Sequence, residues 1–189
     1  QLEELKVPAK VEIAALTATD EKKLEVKFNT AVDTSKAKIE VKKAGVTVDV
    51  SHVTFSEDKT SATLELATKL VKGEYTIHVS GAAEEILTKS VAVEDEKVQS
   101  VEILSDIAVV NDTTNPTSAT VSYQVLNQYG EDITKTIALT TNDPSKIVAA
   151  NGVVTMTLSG VKVGDKLPVT LIDIQSAASA TKVVTLSAS

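Results

Sequence analysis

The strongest constraint on this chain is a two-residue period. Short runs alternate apolar and polar side chains and break at polar corners roughly every 8–12 residues, the strand spacing of an antiparallel sandwich or barrel. In Ala62-Thr63-Leu64-Glu65-Leu66 the apolar members share one face, while Thr63 and Glu65 face water. That is the pattern of a sheet with one dry and one wet side. In Gly73-Glu74-Tyr75-Thr76-Ile77-His78-Val79 the same period sends Tyr75, Ile77 and Val79 inward and His78 outward. Composition agrees, because 27 Val, 24 Thr, 16 Ser and 11 Ile supply 78 of the 189 residues. Branching at Cβ stiffens χ1 and suits Val, Ile and Thr to a pleated, half-buried surface. The expected class is all-β and antiparallel. Strands are predicted near 11–16, 23–28, 37–42, 46–50, 61–67, 74–80 and 90–94, then near 98–104, 107–110, 117–127, 133–140, 153–158, 167–174 and 181–187. Lys43-Ala44-Gly45 and Ser56 to Thr60 read as tight corners. Only Ala83 to Leu87 suggests a helical turn, and Leu2 to Lys6 reads as the remnant of a preceding helix.

The pattern repeats. Val11-Glu12-Ile13 recurs as Val101-Glu102-Ile103, 90 residues on. Each triplet leads through a polar corner, Ala18 to Lys23 or Asn111 to Pro116, into an alternating run, Leu24 to Phe28 or Ala119 to Val125. A period of about 90 residues is the size of one sandwich domain and too long for a solenoid repeat. Two tandem domains are expected, 11–96 and 97–189, with 1–10 a linker from a preceding region. The charged run Glu94-Asp95-Glu96-Lys97 marks their boundary and is too short to act as a loose tether. Residues 1–96 carry 13 Lys against 18 carboxylates, net −5, and residues 97–189 carry 6 against 8, net −2. The chain starts at Gln1 without an initiator Met, signal peptide or anchor, so it reads as a piece of something longer.

What the chain lacks limits its chemistry. With no Cys there are no disulfides, thiolate nucleophiles or Cys-ligated metals. All 19 positive charges are Lys, and the net charge of −7 with a pI near 4.9 opposes binding to nucleic acid or an anionic membrane. There is no basic stripe, and aromatic residues are only 3 %, too few for base-stacking platforms. No window reaches the roughly 18 apolar residues of a membrane span. An enzyme is not expected.

The candidate sites fit that exclusion. Ser51-His52 places a hydroxyl beside an imidazole, but strand neighbours point to opposite faces. His78 and Ser80 share a face yet lie about 7 Å apart along the strand. Neither is in the strand-to-helix elbow that exposes a nucleophile. Carboxylates cluster at Glu3-Glu4, Glu57-Asp58, Glu84-Glu85, Glu94-Asp95-Glu96 and Glu131-Asp132. Glycoside hydrolysis needs two carboxylates across a cleft, one of them buried enough to stay protonated. These clusters fall on predicted turns and linkers, so no catalytic, cofactor-binding or metal residue is assigned. Calcium, which takes six to eight oxygen ligands, is the one cofactor with a case. Its candidate place is the interdomain junction at Glu94, Asp95 and Glu96, with Asn111, Asp112 and Asn115 and then Asn142-Asp143 as other oxygen-rich corners. None has EF-hand spacing.

Two stretches of the second half resemble a known module. Asn142-Asp143-Pro144-Ser145-Lys146-Ile147-Val148-Ala149, followed by Asn151-Gly152-Val153-Val154-Thr155, is similar to the bacterial Ig-like (group 2) family. In that family a polar Asp-Pro turn precedes a short apolar strand, and a Gly corner leads into the next. Pro144 presets φ for the turn and Gly152 supplies positive φ at the second corner. Asn127-Gln128-Tyr129-Gly130-Glu131-Asp132-Ile133 resembles a corner of Ig-like domains in surface-layer (S-layer) proteins of Gram-positive bacteria. In the first half, Leu24 to Asp33 and Gly73 to Gly81 are similar to the second and penultimate strands of another module of those proteins.

The resemblance covers most of residues 10–187. It implies two tandem Ig-like β-sandwiches in the lattice-forming part of an S-layer protein, extracellular and self-associating, with no catalytic activity. Related modules also occur as stalks of adhesins and as accessory domains of secreted hydrolases, so both remain alternatives. The basic, aromatic-containing motifs that grip cell-wall polymer are absent, which places any anchor outside this segment.

Overall fold

Sixteen strands make up the computed structural model, which describes residues 10–189. The chain divides into two units, Gln1–Glu96 and Lys97–Ser189. The remnant helix expected at Leu2 to Lys6 and the pair Glu3-Glu4 lie outside the described residues.

In the first unit the strands are β1 (Ile13–Asp20), β2 (Lys23–Phe28), β3 (Lys38–Lys43), β4 (Val46–Val48), β5 (Val50–Phe55), β6 (Ser61–Leu66), β7 (Gly73–Ser80) and β8 (Leu87–Val93). They form two antiparallel sheets in the orders β1-β2-β6-β5 and β4-β3-β7-β8. Reading β1 to β8 as strands A to G with an added C′, these are the ABED and C′CFG sheets of an Ig sandwich. One core fills the space between them, with Leu24, Val26, Leu64 and Leu66 from the first sheet meeting Val41, Tyr75, Ile77 and Val79 from the second, all at most 3 % exposed. The period-2 reading therefore chose the buried faces of β6 and β7 correctly.

The second unit contains β9 (Val98–Ile103), β10 (Ile107–Val110), β11 (Ser118–Asn127), β12 (Thr140–Thr141), β13 (Ile147–Ala150), β14 (Val153–Thr157), β15 (Lys166–Ile172) and β16 (Ser179–Ser187). β13, β14 and β11 pair in that order, with β9 on β11, and β12, β15 and β16 form the facing layer. β10 joins the layers, pairing antiparallel with β11 and parallel with β16. This is the one parallel ladder among the described residues and departs from the wholly antiparallel expectation. It arises because the chain kinks at Leu104-Ser105-Asp106 between β9 and β10, which carries the first edge of the unit across to the last strand. Around the core, Val125, Val154, Val169, Leu171 and Val184 are fully buried. At the far side Thr141 Oγ1 donates to the Ile147 carbonyl at 2.7 Å, bringing the ends of the two layers together.

Three local expectations need correction. A strand was not predicted over β5, because four of its six side chains are exposed and a bulge at Val50/His52 interrupts the alternation. The strand predicted at 133–140 is instead a 3₁₀ turn at Thr134–Thr136 followed by two-residue β12. Here β-branched Thr134 spends its hydroxyl on the main chain, accepting from Val125 N at 2.9 Å, while its own N–H donates to Asp132 Oδ1 at 3.0 Å. The helical turn expected at Ala83 to Leu87 is absent, since Leu87 opens β8 opposite Val79. Gly81 sets the path into that segment at φ 80°, passing so close to Lys36 that a Cβ would lie 2.0 Å from its carbonyl oxygen.

Candidate functional site

Each sequence-predicted reactive group occupies a position that its local backbone explains. His52 lies on β5 opposite Glu65, and Ser51 Oγ donates to the Glu65 carbonyl at 3.1 Å rather than to the imidazole. On β7, His78 Nδ1 lies 3.3 Å from Thr88 Oγ1 of the neighbouring β8, and Ser80 is opposite Lys38 of β3. The structure brings neither imidazole to the serine nearest it in sequence.

The aspartates are builders of corners. Asp58 Oδ1 accepts from Ser56 Oγ at 2.6 Å, Thr60 Oγ1 at 2.8 Å and Thr60 N at 3.2 Å, closing the β5–β6 hairpin. Asp33 takes Ser35 Oγ at 2.6 Å and Ser35 N at 3.0 Å. Asp112 takes Thr114 N at 2.8 Å and Asn115 N at 3.1 Å. Asp132 holds both the hydroxyl and the N–H of Thr134, and Asp143 accepts from Ser145 Oγ at 2.7 Å. Hydrogen bonds to the ionised form favour it. The Ser35 hydroxyl for Asp33, the Ser56 hydroxyl for Asp58, the Asn115 amide for Asp112 and the Thr134 hydroxyl for Asp132 each hold the carboxyl below its ordinary value. A carboxyl depressed in this way is a poor general acid at neutral pH.

Sequence reasoning weighed Asp58 and Asp132 as members of carboxylate pairs and Asp112 and Asp143 as oxygen-rich corners, and missed their common grammar. Asp33-Thr34-Ser35, Asp58-Lys59-Thr60, Asp112-Thr113-Thr114, Asp132-Ile133-Thr134 and Asp143-Pro144-Ser145 all read Asp-x-Ser/Thr, so the signal was present as a spacing. The same side chain that accepts the i+2 N–H tightens the turn.

Other clustered carboxylates are dispersed in role. Glu84 and Glu85 are exposed in the bends before β8, beside a cleft of about 520 Å³ that Lys10, Glu12 and Leu87 also line. In the run Glu94-Asp95-Glu96, Asp95 Oδ1 accepts from Lys72 N at 2.8 Å, and Glu94 is exposed. Glu131 belongs to the most polar buried corner of the second unit, centred on Asn127, which is 1 % exposed. Asn127 Oδ1 accepts from Tyr129 N at 2.9 Å and Glu131 N at 3.0 Å, and its Nδ2 donates to Glu131 Oε1 at 3.0 Å. Gly130 turns the corner at φ 79°. At the second family-like segment, Lys146 N and Ile147 N both donate to the Asp143 carbonyl across Pro144, and Asn151 and Gly152 have φ of 52° and 86°. Two successive positive φ angles define a type I′ hairpin turn. No helix among the described residues is long and apolar enough to cross a membrane.

No protein-family model matches the chain, and no curated protein matches it. Its structural neighbours include fragments of the bacterial S-layer protein SbsC and Ig domains of titin. The N-terminal part of SbsC aligns at 15 % identity with a TM-score of 0.45, over 94 % of this chain and 44 % of that one. SbsC domains 1–6 align at 15 % identity and a TM-score of 0.44, over 95 % and 26 %. Titin domains I67–I69, in an E-to-A variant, align at 14 % identity and 0.37, over 94 % and 65 %. The chain spans less than half the length of these SbsC structures.

Proposed function

We propose that this chain is a structural segment of a bacterial S-layer, two Ig-like sandwiches that contribute to a two-dimensional lattice on the cell surface. The observation that carries the reading is the fate of its reactive groups. Five aspartates are committed to the Asp-x-Ser/Thr turns, each histidine stands apart from the serine beside it in sequence, and the residues buried between the sheets are almost all apolar. Such a molecule offers neighbours its edges, loops and outer sheet faces. Contacts of that kind are small and polar, and draw strength from the number of copies that make them. The corner at Asn127 to Ile133, which resembles S-layer Ig-like domains, and the turns within Asn142 to Thr155, which resemble the bacterial Ig-like (group 2) family, fold as those resemblances imply, which also supports the reading.

Negative-stain electron microscopy of the protein, dialysed into calcium or into EGTA, tests it. Ordered sheets are expected. Sheets lost in EGTA would give calcium a role and make Glu94, Asp95 and Glu96 the first residues to change. Isolated particles in both buffers, or a hydrolytic turnover abolished by replacing one carboxylate, would overturn the lattice reading.

A further inference from the structure

The outer faces of the sheets differ in charge. In the first unit both are laced with ions, with Lys27 at 3.7 Å from Glu25 on one sheet and Lys42 at 3.7 Å from Glu40 on the other. The outer face of β10, β11, β14 and β13 in the second unit has no ionisable side chain, and Glu102 of β9, opposite Gln124 of β11, stands at its border. One row crosses all four strands in register, with Val109 opposite Thr120, Thr120 opposite Thr155, and Thr155 opposite Val148. The flanking row adds Ile107 and Val153. The four aliphatic side chains are 39–55 % exposed, so a β-branched, uncharged surface is presented to solvent in a chain of net charge −7.

We infer that this four-stranded face is a contact between copies of the chain, packing on the same face of a second molecule. The inference rests on the lattice reading above and names one of its contacts. Charge selects the occupant. Copies that each carry −7 repel one another, and the approach that brings the fewest like charges together is through a face that has none. The β-branched side chains lose little rotamer freedom when covered, so their burial is opposed by little entropy. A two-fold axis makes such a face self-complementary without any partner-specific feature. Size sets the strength. Four strands spaced about 4.8 Å apart, with β10, β13 and β14 four to five residues long, present roughly 300 Å² per copy. The pair buries about 600 Å², against the roughly 1,200–2,000 Å² of a stable complex. The contact is therefore weak alone and effective when repeated.

Sedimentation velocity of the full chain, from tens of micromolar to about 1 mM, reads this directly. The chain should self-associate at the upper end, and added salt should leave the association intact or strengthen it, because screening removes repulsion and breaks no ion pair. Val109→Lys with Val148→Lys should weaken association at least about 10-fold, since each pairing then buries four unpaired ammonium groups. The control Thr63→Lys, on a face of the first unit, should associate as the parent does. Far-UV dichroism and melting establish that the variants fold. Association that survives the double lysine variant, or that salt abolishes, overturns this contact while leaving the lattice reading standing. A chain that stays monomeric throughout and forms no sheets under the microscope sinks both.

Discussion

Asn127 offers a quantitative test of how the second unit is held together. At one corner its amide Oδ1 accepts from Tyr129 N and Glu131 N and its Nδ2 donates to the Glu131 carboxylate. A net intramolecular bond contributes about 1 kcal/mol and one to a charged group somewhat more, while a buried donor left without a partner costs about 1–3 kcal/mol. Asn127→Ala removes these three bonds from a residue 1 % exposed, so a loss of about 3 kcal/mol or more is expected. For a unit of this size that corresponds to a fall in Tm of roughly 12–24 °C. Calorimetry or urea melts followed by dichroism would resolve it. Asn127→Asp separates geometry from charge. It keeps both acceptor positions but sets a second carboxylate against Glu131, and like charges at that distance favour protonation of one of them. A carboxyl whose folded pKa is raised destabilises the fold above that pKa and recovers as pH falls through it. The Asp variant should therefore be weak at pH 7 and regain stability toward about pH 5. An Ala variant within about 0.5 kcal/mol of the parent, or an Asp deficit indifferent to pH, would refute this account of the corner.

Three further outcomes follow from other positions. Gly81→Ala should destabilise the first unit by about 2 kcal/mol or more in urea melts, because φ is 80° and the new Cβ meets the Lys36 carbonyl oxygen at 2.0 Å. Tyr123→Phe should be neutral or stabilise by about 1 kcal/mol, since the buried Tyr123 hydroxyl has no hydrogen-bond partner among the described residues. Acid should weaken the fold through its corners. Hydrogen bonds from Ser35, Ser56, Asn115 and Thr134 hold Asp33, Asp58, Asp112 and Asp132 below the ordinary carboxylate range in the folded chain, so their contribution is complete above about pH 4 and is lost as pH falls below it. Replacing all four by Asn should flatten the stability profile below about pH 4.

Legibility in the sequence followed burial. Where one face of a strand is wholly dry, as in β6 and β7, the alternation names the inward residues, because a one-residue slip would expose the whole apolar set. β5 escaped because an edge strand with a bulge has no dry face to write into the sequence: Ser51, His52, Val53 and Thr54 are all exposed. Ile133 to Thr140 misled for the opposite reason. Its β-branched residues satisfy strand propensity, yet Asp132 and Thr134 supply side-chain bonds that compete with a ladder and fold the segment into a turn. At the corners, composition showed acids and structure shows Asx turns. The Asp-x-Ser/Thr spacing was legible, but its hydrogen bonds are local geometry that a search for paired catalytic carboxylates passes over. Asn127 was marked only as the first residue of the family-like corner Asn127 to Ile133; that its side chain is buried at the end of β11 and bonds Tyr129 and Glu131 was not written in the pattern.

The parallel ladder between β10 and β16 has a mechanical consequence. Ile107, Ala108 and Val109 pair with Thr185, Leu186 and Ser187, so a strand near the start of the second unit runs alongside the one that ends it. Tension between the two ends of that unit slides these strands along their length and loads their hydrogen bonds together. In the first unit, among the described residues, β1 is laddered only to its hairpin partner β2, antiparallel, and such a pair can be peeled open one bond at a time. Stretched in series by its termini, the chain should yield at the first unit and hold at the second, giving two force peaks of unequal height.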